Sequence, residues 1–234
     1  MRIWQFITLS VLTISFSLIS GCGVGAFQIR MIPENQQLEE TELKSDKGFF
    51  ISDKIAIIDV DGVLYNAPQS SFLRDGDNPV STFYEKLQKA GGDKNVKAVV
   101  LRLNSPGGSV AATDIMYHSL MKFKKNTGKP VIAAMMDTAC SGAYYLACGS
   151  DGIIAQPSCV TGSIGTIMQT ISVKGTMEKL GVEAVAIKSG KMKDIGSPLH
   201  ELCEEVQKIL QSVIDEFYGQ FLDVVKKGRE NVDK

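Results

Sequence analysis

Three short glycine-bearing stretches carry the residues best suited to chemistry. The first, Asn104-Ser105-Pro106-Gly107-Gly108, follows the apolar run VVLRL and precedes a helical pattern. Paired glycines there let backbone N–H groups point outward, which is how an oxyanion hole is built, although a plain strand-to-helix turn has the same composition. The second, Asp137-Thr138-Ala139-Cys140-Ser141-Gly142-Ala143, also joins an apolar run to a helical pattern. Small neighbours leave room for another backbone to approach the Ser141 hydroxyl, so Ser141 suits a nucleophile with the Gly142 N–H donating to the oxyanion, or an N-cap. The third, Lys188-Ser189-Gly190-Lys191-Met192-Lys193-Asp194, offers three lysines, either a solvated loop or the source of a base.

A serine nucleophile needs a base, and the chain has only two histidines, His118 and His200. His118 lies within a helical pattern and His200 at a helix start, so lysine is the other option. A lysine titrates near ~10.4, and a base must be neutral near pH ~7–8. The site must lower its pKa by about 2–3 units, equivalent to ~3–4 kcal/mol. Burial against apolar walls does this by penalising the ammonium, so a lysine base is expected to be dry and free of any carboxylate. A fourth stretch, IAIIDVDGVL over 55–64, matches the Asp-x-Asp-Gly loop of phosphoryl-transfer enzymes in Asp59 and Asp61. That chemistry also needs a later acidic pair for magnesium. None is convincing after Asp61, so the stretch reads as the first core strand and its turn.

These loops must be positioned by the elements between them. Candidate strands are Ile55 to Asp59, Val96 to Leu103, Val131 to Met135, Gly152 to Gln156, Ile164 to Ser172 and Glu183 to Ile187. Candidate helices are Val80 to Lys89, Val110 to Lys125, Ser141 to Cys148, Lys174 to Leu180 and Pro198 to Lys227. The alternation predicts an α/β fold with a largely parallel sheet, because parallel strands need crossover helices. The near-continuous apolar runs AVVLRL and VIAAMM predict strands covered on both faces.

At 234 residues and 44% hydrophobic content, the chain suits one main domain. Its net charge of −1 leaves no cationic excess for phosphates, so nucleic acid is not an expected partner. Residues 1–21 place Arg2 before an uncharged apolar stretch ending Ser20-Gly21, just ahead of Cys22. This pattern is similar to a bacterial lipoprotein leader, so Cys22 is expected to be lipidated as the mature N-terminus and to anchor the domain outside the cytoplasm. Each buried acyl methylene would contribute about 0.8 kcal/mol to that tether. Residues 22–53 are polar and acidic, as in a linker, with the catalytic body expected over 54–234. Cys140, Cys148, Cys159 and Cys203 match no zinc spacing, so no metal is assigned, and core thiols are the simplest role.

Taken in order, NSPGGSV, CSGAYYLA, TGSIGT over 161–166 and KSGKMKDIGSP resemble the bacterial signal peptide peptidase A family of membrane-bound serine proteases. The resemblance spans roughly residues 54 to 229. It implies a Clp protease and crotonase type of fold and a Ser-Lys dyad needing no cofactor. Ser141 is then the nucleophile, Lys193 the general base, and Ser163 the residue that orients the lysine, with Gly108 and Gly142 supplying the oxyanion N–H groups. It also implies homo-oligomers and, as substrates, short apolar peptides such as cleaved signal peptides. Ala143 stands where many relatives carry a second glycine, and relatives usually continue with an Asp-Gly-Arg-x-x-Thr-Gly segment, so the domain is expected to be short at its C-terminus. A non-catalytic lipoprotein scaffold and a crotonase-like acyl-group enzyme without need of Ser141 are the alternatives.

Overall fold

The computed structural model describes residues 38, 40–44, 52–68 and 76–229. The leader and Cys22 lie outside the described residues, as does most of the 22–53 linker. Two compact units divide the chain, Met1–Glu40 and Thr41–Lys234, and the architecture below belongs to the second.

Among the described residues the elements run β1 Lys54–Leu64, α1 Pro79–Gly92, β2 Val96–Gly108, α2 Val110–Thr127, β3 Val131–Cys140, α3 Gly142–Ala147, β4 Gly152–Ala155, β5 Val160–Gly162, α4 Lys174–Lys179 and α5 Glu204–Gly228, with strand and helix alternating as far as β4. The strands form one parallel sheet in the order β1-β2-β3-β4, with β5 pairing the far end of β3. Local chemistry sets the helix ends. Asn78 caps α1 by accepting from Val80 N at 3.0 Å, with Pro79 at the first helical position. Ser109 caps α2 by accepting from Ala112 N at 3.3 Å, and Gly128 closes that helix at φ 65°. Lys129 Nζ then donates to the carbonyls of Ala90, Gly91 and Asp93 at 2.7, 3.1 and 2.8 Å, neutralising the C-terminal end of α1.

Sequential strand order with right-handed crossovers puts successive helices on the same side of the sheet. Burial follows that rule. Val99, Leu101, Leu103, Val131, Ala133 and Met135 are buried, together with Phe83 and Leu87 of α1 and Met116 and Leu120 of α2. Each of these side chains other than Ala133 contributes about 1.5–3 kcal/mol. The alternate positions Val100, Ile132, Ala134 and Met136 are only half-buried, and Ile57 is exposed. The apolar runs therefore do not mark strands covered on both faces, because every crossover in this order returns on one side.

The second half of the chain differs in kind. No residue from Asp151 to Gln220 is buried. The expected strands over 164–172 and 183–187 do not form: among the described residues these β-branched runs find no backbone that pairs with them. Ile167, Ile171, Val185 and Ile187 are 80%, 76%, 78% and 99% exposed. Helix α5 starts at Glu204, not Pro198, with Glu204 and Glu205 in its first turn, where acidic side chains complement the helix dipole. Only its last turns return to the core. Phe221, Val224 and Val225 are buried, and Phe221 meets the Tyr145 ring edge-on at 5.2 Å between centroids. At its end Gly228 packs so closely on Cys148 that an added Cβ would fall 2.0 Å from the Cys148 carbonyl oxygen, and Arg229 Nη1 donates to Tyr144 Oη at 2.7 Å.

Candidate active site

Strand β3 turns into α3 through a single residue. Ser141 holds φ 50° and ψ −120°, a region that costs a non-glycine residue on the order of 1–3 kcal/mol and persists only where its surroundings fix it. Ser141 N donates to Gly162 O at 2.8 Å, and Tyr145 N donates to Ser141 O at 2.9 Å. The serine is half-buried, while all six residues of α3 behind it are buried. Such a sharp strand-to-helix elbow presents a hydroxyl away from the backbone. Gly142 begins the helix, so its N–H has no acceptor within it. Thr113 of α2 backs Gly142 so closely that a Cβ there would lie 2.3 Å from Thr113 Oγ1. Only glycine fits at 142.

The C-terminal end of β2, Asn104 to Gly108, lies directly on this elbow. Asn104 Oδ1 accepts from Thr138 N at 3.2 Å, and the buried Ser105 Oγ accepts from Gly107 N at 3.0 Å. Gly107, at φ 97°, is the point of contact. A Cβ there would sit 2.7 Å from Gly142 N and 2.9 Å from both Cys140 O and Ser141 Cβ. Gly108 continues the ladder with Leu64, where a Cβ would meet Leu64 O at 2.0 Å. Sequence reasoning singled out Gly108 and missed the contacts of Gly107, Asn104, Ser105 and Thr113. The paired glycines were the available signal for the first, and nothing in the spacing marked the others.

Ser163 also has positive φ, 51°, directly after Gly162 at 83°. Cys140 pairs with Gly162 in the β3–β5 register, so Ser163 follows at the position alongside Ser141. Lys193 is placed differently. Its backbone N donates to Gly190 O at 3.1 Å within a run of turns, and its side chain is exposed, with no hydrogen bond to Ser141. The expectation of a dry amine is not met in the single chain, because none of the described residues covers Lys193. Among the three candidate lysines the partners differ. Lys188 Nζ donates to Asp194 Oδ1 at 2.5 Å, Lys191 pairs with Glu205, and Lys193 alone has no carboxylate among the described residues. The Lys188 hydrogen bond holds the Asp194 carboxyl below its usual range, and His200 Nε2 lies 3.3 Å from its other oxygen.

The remaining candidates are occupied elsewhere. The His118 side chain is 71% exposed, 3.5 Å from Asp114 Oδ1. Both oxygens of Asp59 accept from Arg102, at 2.5 and 2.8 Å, which is a structural ion pair and not a free nucleophile. Burial raises the Cys148 thiol to about 11, the behaviour of a core residue.

Residues 123–234 match the family described as Peptidase family S49. Among curated proteins the chain is 38% identical to "Putative signal peptide peptidase SppA" of Enterococcus faecium over 77% of its length. It is 36% identical to "Protease 4" of Haemophilus influenzae over 77%, and 35% identical to "Putative protease slr0021" of Synechocystis over 75%. The matches cover 52%, 28% and 58% of those three proteins, so the chain spans less than two thirds of each relative. These matches support the signal peptide peptidase A family within Peptidase family S49, and the α/β architecture with its mostly parallel sheet and crossover helices is consistent with the Clp protease and crotonase type of fold of that family.

Proposed function

We propose that the protein is a membrane-tethered serine endopeptidase that degrades short apolar peptides, such as remnant signal peptides, through an acyl-enzyme. The observation that carries this reading is the strained elbow at Ser141, adjoining the first N–H of a buried helix and a glycine loop in backbone contact with it. Ser141 Oγ attacks the peptide carbonyl while Lys193 Nζ takes its proton; Gly142 and Gly108 N–H groups receive the oxyanion, and Ser163 orients the lysine. The ammonium of Lys193 then protonates the leaving amine, and water resolves the ester. No cofactor takes part. Lipid on Cys22 holds the domain outside the cytoplasm.

The base must be dry, and the single chain leaves it wet. The same stretch, 151–220, leaves its apolar side chains uncovered. Both needs have one solution, a homo-oligomer in which a second copy covers the 188–200 loop and desolvates Lys193. The exposed Lys193 also favours a second reading, a scaffold of the same fold without catalysis. Ser141→Ala and Lys193→Ala separate the two: each abolishes hydrolysis of a labelled signal peptide in the first case, and neither alters binding in the second. A fluorophosphonate probe labels Ser141 in the wild type and is lost in both variants; labelling that survives Lys193→Ala unchanged counts against the dyad.

A further inference from the structure

Resting on the assignment of Lys193 as base, we infer that Asp194 is a positioning residue: it clasps Lys188 and His200 across the base loop and so leaves the Lys193 amine as the loop's one cation without a carboxylate among the described residues. Asp194 is the nearest acid in sequence to the base, and unrestrained it would pair with it and keep it protonated. Its side chain instead spends one oxygen on Lys188 Nζ at 2.5 Å and offers the other to His200 Nε2 at 3.3 Å. Its backbone joins the same turn, since Ser197 N donates to Asp194 O at 2.9 Å. The clasp ties residues 188 and 200 through 194 and is only 23% exposed on the Asp194 side chain. The flanking charges are already paired, Lys191 with Glu205 and Lys174 with Glu178 and Glu201. With His200 neutral, the clasp presents no net charge to Lys193. Protonation of His200 adds a second cation to Asp194 and leaves the cluster positive.

An ion pair that shields a neighbour has a diagnostic property: removing its two members moves that neighbour in opposite directions. Lys188→Met frees the Asp194 carboxylate to attract the Lys193 proton and raises the Lys193 pKa. Asp194→Asn leaves the Lys188 ammonium unopposed and lowers it. For a neighbouring unit charge the expected shift is roughly 0.5–1.5 pH units each way, and the double variant returns near the wild type. A merely structural role shifts neither, or both alike. The readout is the titration of Lys193 in the full chain by NMR of lysine labelled at Cε, its signal identified by loss in Lys193→Arg, alongside the acid limb of the kcat/KM profile. Opposite shifts with cancellation in the double variant establish the clasp; shifts of one sign, or none, overturn it. Because the NMR titration needs no turnover, a chain that shifts as described yet never hydrolyses peptide refutes the peptidase and not the clasp.

Discussion

Replacing Gly107 by alanine isolates the contact on which the elbow depends. The position has φ 97°, so an L side chain there costs about 1–2 kcal/mol in backbone conformation alone. The added methyl also meets Gly142 N at 2.7 Å and Cys140 O and Ser141 Cβ at 2.9 Å. Two of these three are backbone atoms, and the hydrogen bond from Ser141 N to Gly162 O keeps the elbow from backing away. Forcing such an overlap costs about 1–3 kcal/mol, so the variant should lose roughly 2–5 kcal/mol in all. Gly62→Ala is the control: its φ is 71°, with nothing within 4 Å of an added Cβ, so it bears the conformational cost without the clash. Urea unfolding followed by far-ultraviolet circular dichroism measures both. A displacement of the elbow by about 1 Å would also slow fluorophosphonate labelling of Ser141 on the order of a hundredfold. If Gly107→Ala unfolds at the same urea concentration as Gly62→Ala and labels at the wild-type rate, the loop does not bear on the elbow as argued.

Other perturbations follow from the same geometry. Ser141→Gly removes a strained serine, so labelling should vanish while stability rises by about 1 kcal/mol, strain relief exceeding the entropy cost of glycine; a lowered midpoint would contradict the strain. Lys129→Met strips the C-terminal end of α1 of its cation and should cost about 1–3 kcal/mol, with faster amide exchange near residues 90–93. Cys148 should resist alkylation until pH approaches about 11, where burial has moved its thiol, while the exposed Cys203 reacts at ordinary pH. Because the folded pKa of Cys148 is raised, its contribution to stability is whole below the unfolded value near ~8.5 and is lost as pH rises towards the folded one. Equal alkylation rates at pH 8 would contradict its burial.

What the sequence made legible was local. The helix starts expected at Val80 and Val110 lie within a residue of those found, Pro79 and Val110, because the caps that set them, Asn78 and Ser109, act only on neighbouring atoms, and the small residues around Ser141 signal a close approach without revealing which glycine makes it. What stayed hidden depends on distant partners. Residues 164–172 have strand-forming side chains, yet a strand exists only where another backbone answers it. The dryness of Lys193 is likewise a property of whatever covers the loop and is written in no single residue. The apolar runs of β2 and β3 predict cover on both faces because hydrophobicity does not record on which side the crossovers return, and here they return on one.

The return of α5 onto α3 sets a clock on biosynthesis. Arg229 and Tyr144 are 85 residues apart in sequence, so at about 5–20 residues per second the side of the helix after Ser141 that α2 and β2 leave open waits on the order of 4–17 s for that contact to be made. The strands and first two helices are complete by then. The helix that supports the reactive corner is thus finished late, when the tail of the long helix settles on Tyr144, Tyr145 and Cys148.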